Sequence, residues 1–184
     1  WDTGPGMSLL DLAATWWLET PYDPQGAHAT GHVHTEWIQE GLQDAYFVRS
    51  LPKSTGREYF GSSWLTARRP SLESWSLEDR LATLAAFTAE SIAHELKREG
   101  YSKGFNAWVS GGGSAHPRLL QELKRVLPEI HWNLDTSLPP GSREAVSWAL
   151  LGAASAVGQA GNHPDVTGAS QSLILGSWTF PQEG

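Results

Sequence analysis

The sequence predicts an α/β fold on three observations: one long segment with strong helical periodicity, short apolar runs of strand length set between helical patterns, and a glycine-rich turn at a strand-to-helix junction. At 184 residues, with 40% hydrophobic and 18% charged side chains, the chain is long enough for one full-sized domain and too short for two large ones. Its composition is that of a folded protein, not of a disordered or fibrous one.

The elements follow in chain order. SLLDLAATWWLETP places Leu9, Leu12, Trp16 and Thr20 on one helical stripe, which Pro21 stops. PYDPQGAHATG reads as a turn-rich connection, and a second helix is expected around Val33 to Leu42. SLPKSTGREYFGSSWL holds too much Gly, Ser and Pro for regular structure and reads as a loop. Its Lys53, Arg57 and Glu58 either pair among themselves or reach a cleft, since a buried charge needs a partner. The most regular element runs from Ser76 to Gly100. Ser76 and Asp79 make a capping-box-like start, Leu77, Leu81, Leu84, Thr88, Ile92 and Leu96 form the stripe, and Gly100 supplies the stop. GFNAWVS is a short buried strand, followed by GGGSAHP and a helix RLLQELKRVLP with Pro117 near its first position. EIHWNLD is a further strand, GSREAVSWALLGAASAVGQ a helix of small residues that permit close approach, and SQSLILGSW is expected to be a final strand. There is no internal repeat and no low-complexity tract.

Charge and composition exclude several classes. A net charge of -7 with only 13 Lys and Arg argues against nucleic acid as a partner, because phosphate contacts need clustered cations. The absence of cysteine removes disulfides, thiolate zinc sites and a Cys nucleophile, and fits a cytoplasmic protein. No run of about 18 apolar residues exists to span a membrane, so a soluble chain with no membrane partner is expected. Most of the ten Trp are expected to pack in the core, the sharper reading being stacking on sugar rings or adenine. His32 and His34 read as loop histidines with no third metal ligand beside them.

Two loops carry chemistry. In VSGGGSAHP, Gly111, Gly112 and Gly113 leave backbone bare for a ligand, while the helix starting near Pro117 directs free N–H groups and its positive dipole end there. A nucleotide suits such a place; a tight turn explains the glycines equally well. The pattern is neither a P-loop nor a dinucleotide fingerprint. In DTGPG, Asp2 stands beside Gly4 and Gly6, where a carboxylate can act as general base or hold magnesium through water near a phosphate. Asp-Thr-Gly also occurs in ordinary turns and in aspartic-protease loops, but nothing else here matches that protease fold.

Taken together, DTGPG, LLD, PYDPQG, PKSTGREYF, WVSGGG with its following Pro, REAVSWALL and GNHPDVTGAS resemble, in order and spacing, the C-terminal half of anhydro-N-acetylmuramic acid kinase. The resemblance covers essentially residues 1–184. It implies an RNase H-like, actin-like ATPase fold, with this chain as the C-terminal lobe of a two-lobed sugar kinase lacking its opening strands. The N-terminal lobe, with the first phosphate loop, is expected to be absent, so that Trp1 marks a cut and the isolated chain is inactive. By resemblance the cofactors are ATP and Mg2+ and the substrate is 1,6-anhydro-N-acetylmuramic acid, whose ring is opened by water and whose freed 6-hydroxyl is phosphorylated during cell-wall recycling. Asp2 matches the catalytic base and would touch magnesium only through water. Thr3, Gly4 and Gly6 match the second phosphate loop, Gly111, Gly112 and Gly113 the adenosine loop, and Glu144 a second acidic residue of the site. Asp11 and Asp23 match family positions that a helix-surface role explains equally well.

Two departures stand out. Met7 replaces the Asn usual after Asp-Thr-Gly-Pro-Gly, losing a possible helix cap. His116 replaces the Asn before Pro, where it caps a helix, stacks near a base or is merely tolerated. Relatives of this kind are usually homodimers. A non-catalytic nucleotide- or muropeptide-binding relative is the alternative, and a Trp-rich carbohydrate-binding module the third reading.

Overall fold

The structure is a computed structural model that describes residues 1–101, 103–139 and 141–179. Its helices are α1 (Ser8–Trp17), α2 (Thr35–Gly41), α3 (Ser62–Glu73), α4 (Leu77–Arg98), α5 (Pro117–Val126), α6 (Arg143–Ala156) and α7 (Pro164–Thr167). The strands are β1 (Asn106–Val109) and β2 (His131–Leu134), and single 3-10 turns occupy Pro24–Gly26 and Gly112–Ala115.

The axis of the molecule is α4. Its Ser76 hydroxyl accepts from the Asp79 amide at 3.1 Å, the expected cap. The capping box stays half closed, because the Asp79 carboxylate turns outward and accepts from the His32 amide at 2.7 Å. Burial exceeds one stripe: every residue from Leu81 to Ala89 is buried. The cause is that α1, α2 and α5 all pack against this helix, and Ala82, Ala85, Ala86 and Ala89 let them come close.

Two clusters make the core. The larger gathers α1, α2, α3 and the first half of α4 around Tyr46, Phe47, Phe60, Trp64 and Phe87, with Trp64 stacked on Phe87 at 5.2 Å between centroids. The smaller joins Ala89 and Ala93 to Leu119, Leu123, Val126, Leu127 and Ile130. Met7 packs at the edge of both. Trp37 and Trp64 therefore serve the core, whereas Trp108 and Trp148 are more than 60% exposed, at 63% and 67%.

A Cβ placed on Gly41 would stand 2.8 Å from Cε2 of the fully buried Phe87. Gly41→Ala is expected to destabilise by about 1–3 kcal/mol through overpacking, read as a lower urea midpoint with an unchanged m value.

Several expectations are corrected. The α1 helix ends at Trp17, and it buries Leu9, Leu10, Ala13 and Ala14, while Leu12 and Trp16 are only half-buried. The two alanines allow closer approach to α4 than the Trp16 side would. The loop read from 50 to 65 ends earlier, at α3, which Gly61, Ser62, Arg68 and Pro70 disguise and which buries only Trp64, Leu65 and Leu72. Residues 170–178 form no strand. Their backbone is engaged locally: Leu173 donates its amide to the Asn162 side chain at 2.6 Å and accepts from the Gly161 amide at 2.9 Å. The sheet among the described residues is thus β1 and β2 alone, parallel, paired from Asn106↔His131 to Val109↔Leu134 across α5. The expected β1, α5, β2 and α6 are all present, within a few residues of their predicted bounds, but β1 is not the buried strand expected: its residues alternate between exposed and half-buried, because its only sheet neighbour among the described residues is β2.

No helix among the described residues is long and apolar enough to cross a membrane.

Candidate functional site

The amino-terminal loop lies directly on α4. Gly4 has φ +151°, and a Cβ there would meet the Ser91 side-chain oxygen at 2.7 Å, so only glycine permits this approach. Gly6, at φ +56°, turns the chain toward α1 while its carbonyl accepts from the Thr88 hydroxyl at 2.8 Å. Among the described residues no group accepts from the amides of Thr3, Gly4 or Gly6. Thr3, Gly4 and Gly6 line one cavity with Ser8, the first residue of α1, where the helix dipole is positive.

The segment Lys53 to Arg57 holds Asp2. One carboxylate oxygen, Oδ2, accepts from the Ser54 hydroxyl at 2.8 Å and the Thr55 amide at 2.9 Å, leaving Oδ1 without a partner among the described residues. The Tyr46 hydroxyl donates to the Asp2 carbonyl at 2.6 Å. Burial, with the charges of Asp2 and Glu95, pushes that hydroxyl up to about 12, so it stays a donor. Lys53 is buried, with Nζ 2.8 Å from Glu95 Oε1, 3.2 Å from the Tyr46 carbonyl and 4.5 Å above the Tyr46 ring. It therefore pairs neither with its sequence neighbours nor with a cleft, which corrects both readings made for it. Arg57 does reach the site. It lines, with Asp2, Thr3, Gly4, Gly6 and Thr55, a cavity of about 410 Å³.

The glycine loop is the second centre. From β1 the chain turns at Gly111, φ +80°, passes through Gly112–Ala115 and enters α5 at Pro117. His116 caps α5: its Nδ1 accepts from the Leu119 amide at 3.2 Å. The imidazole is buried, Nε2 has no partner among the described residues, and the turn at Gly26 presses on the ring. Burial pulls its pKa below the ordinary value of 6.5, against the opposing charges of Asp23 and Asp11. The folded state thus resists a proton that the unfolded chain accepts. Stability is complete above about pH 6.5 and is lost as pH falls below it. His116→Asn keeps a capping side chain and is expected to flatten that loss in denaturation midpoints measured between pH 7 and 5.

Three hollows result, and they lie in series. The Asp2 cavity shares Met7 with a second, of about 550 Å³, lined also by Asp11, Asp23, Gly112, Gly113 and His116. The second shares Gly112 with a third, of about 810 Å³, lined also by Gly111, Asp135, Arg143 and Glu144. The structure thus brings Asp2 to Thr3, Gly4 and Gly6, and Gly111 and Gly112 to Glu144, but puts Asp2 and Glu144 in different cavities. The two loops nevertheless touch: a Cβ on Gly113 would stand 3.1 Å from Met7 Cγ and Sδ. Met7 gives no side-chain cap to α1 and works by packing between the loops instead.

Other sequence candidates have structural partners. Both carboxylate oxygens of Asp23 accept from the His28 amide, and Asp23 Oδ1 also lies 2.9 Å from the His28 ring. His34 stacks on Trp75 at 3.7 Å, with His32 edge-on to it. Among the described residues no three His, Cys, Asp or Glu gather as metal ligands. A magnesium held through water fits Asp2, which lines the cavity and whose Oδ1 accepts no hydrogen bond among the described residues. Ser54, Thr55 and Tyr46 went unnoticed in the sequence; the only signal was the Lys-Ser-Thr-Gly run itself.

A family model described as anhydro-N-acetylmuramic acid kinase matches residues 1–181. Relatives described as anhydro-N-acetylmuramic acid kinase include one from Synechococcus sp. (strain CC9605), 40% identical, and one from Synechococcus sp. (strain WH7803), 38% identical. A third, from Burkholderia vietnamiensis (strain G4 / LMG 22486), is also 38% identical. Each match covers 96% of this chain and 48% of the relative, so the chain spans about half the length of the curated relatives it matches. With nearly its whole length matched, the chain belongs to the anhydro-N-acetylmuramic acid kinase family.

Proposed function

We propose that this chain is the C-terminal, base-bearing and adenosine-binding lobe of a kinase that opens 1,6-anhydro-N-acetylmuramic acid with water and phosphorylates it to N-acetylmuramic acid 6-phosphate. The observation that carries the reading is the Asp2 hollow: a carboxylate fixed through one oxygen, beside three unpartnered backbone amides. Asp2 Oδ1 takes the proton of the attacking water as that water bonds to the anomeric carbon. The bond from that carbon to the 6-oxygen breaks, and the 6-oxygen becomes the nucleophile toward phosphorus. The amides of Thr3, Gly4 and Gly6 receive the charge of the phosphoryl oxygens. Bound ATP with Mg2+ would supply the phosphoryl group and neutralise its charge. Gly111, Gly112 and Gly113 leave room for the adenosine, and Glu144, on the first turn of α6, orients the substrate from the far side of the glycine loop.

The fold proposed for the whole protein is RNase H-like, two lobes closing over the nucleotide. Phosphoryl transfer rests on positioning by both walls, so the isolated lobe is inactive. The α6 helix buries no residue here; its Val146, Trp148 and Leu150 are exposed, as are Trp108 of β1 and Leu134 of β2. We assign these exposed apolar side chains to contact with the N-terminal lobe that the longer relatives have room for. A homodimer in the cytoplasm completes the proposal. The test is direct: the full gene product with ATP, Mg2+ and the anhydro sugar should yield ADP and a sugar product heavier by one water and one phosphoryl group. ATP binding by calorimetry without such a product would favour the non-catalytic reading, for which Met7 and His116 in place of asparagines speak.

A further inference from the structure

We propose that Arg57 is an oxyanion-binding residue of the Asp2 hollow, parked against Asp11 until an anionic group enters. The identity of that anion rests on the kinase reading; the binding role does not.

Four observations carry it. Arg57 stands two residues after Thr55, which with Ser54 holds Asp2, and it lines the same cavity. Its guanidinium is 80% exposed and its recorded contact is Asp11 Oδ2 at 3.4 Å. That is long beside the charge-assisted range of about 2.7–2.9 Å, and an exposed pair of this kind contributes about 1 kcal/mol or less. Other arginines are committed: Arg69 sits 2.6 Å from Glu73, Arg125 sits 2.6 Å from Glu122, and Arg68 lies 3.8 Å over the Trp64 ring. Arg57 is weakly tethered and can exchange partners cheaply.

The hollow also needs a cation. The amides of Thr3, Gly4 and Gly6 and the amino end of α1 offer donors to an oxyanion, but the Asp2 carboxylate in the same wall repels one. A guanidinium offsets that repulsion and presents a planar fork matched to carboxylate or phosphoryl oxygens. Asp11, half-buried on α1 and lining the neighbouring hollow, is the positioning residue that holds the fork until an anionic group enters; burial pushes its carboxyl up, with the Arg57 charge opposing. The shared ligand chemistry is an oxyanion, either the carboxylate of a sugar acid or a terminal phosphoryl group.

The test uses the full gene product labelled with 15N at arginine. Inorganic phosphate and N-acetylmuramic acid are titrated separately while the Arg57 Nε–H resonance, identified by its loss in Arg57→Ala, is followed. At least one should move it, and the ligand effective at lower concentration names the source. In turnover, Arg57→Ala is expected to raise KM for the sugar acid about 10- to 100-fold if a carboxylate is bound, or to lower kcat by a similar factor if a phosphoryl group is bound. A resonance that neither ligand moves overturns the proposal. A wild-type protein that shows the shift yet phosphorylates no sugar acid would defeat the kinase reading and leave the role of Arg57 standing. Turnover with a still resonance would do the reverse. The variant's melting temperature should match wild type, since the removed side chain is exposed.

Discussion

Asp2→Asn in the full gene product is expected to lower kcat by about 10²- to 10⁴-fold, the range attributed to a general base. The amide keeps an oxygen that can accept from Ser54 and Thr55, so the loop should hold its place and the melting temperature should not change. The loss should appear in kcat and kcat/KM together, with binding of the sugar retained, because the proton is transferred only on the way to the transition state. An unchanged kcat would remove Asp2 from the chemistry. A loss confined to KM would make it a binding group only.

Lys53→Met is expected to destabilise the protein by about 3–5 kcal/mol, the range for removing one partner of a buried ion pair. Both side chains are essentially excluded from solvent, at 3% and 0%, and among the described residues Glu95 would keep only Arg98, 3.2 Å from its Oε2. The site should suffer with the fold. Lys53 is chained directly to Ser54 and Thr55, and its Nζ binds the carbonyl of Tyr46, whose hydroxyl holds the Asp2 backbone. Denaturation curves check the magnitude, and the double variant Lys53→Met with Glu95→Leu should recover much of the stability, because no lone charge then remains buried. A single-variant loss below about 1 kcal/mol would show that Glu95 is adequately neutralised by Arg98 alone.

The parts of the fold legible in the sequence are those where local signals agree with packing. Ser76 and Gly100 bracket α4, Pro117 opens α5, and the glycines mark the β1-to-α5 turn. Legibility failed where tertiary contacts override local preference. The α3 helix is sustained by Trp64 and Leu65 entering the aromatic cluster and by Asp44 accepting from the Trp64 indole at 2.9 Å, 20 residues away. The expected strand at 170–178 alternates in sequence, but its backbone bonds go to residues 161 and 162. In the site, the glycines and Asp2 announce themselves by residue type. The buried Lys53–Glu95 pair does not, because its partners lie 42 positions apart on a loop and a helix whose contact no period encodes.

The central claim is that the loop at Asp2 and the triple glycine at 111–113 serve one ligand, although they line successive hollows, the first two sharing Met7 and the last two Gly112. Its most direct test is to titrate Mg·ATP into the 15N-labelled full gene product and follow the amides of Gly4, Gly6, Gly111, Gly112 and Gly113 together. All five should shift along binding curves with a single Kd. Shifts in one loop while the other stays still, or two unrelated binding constants, would contradict it.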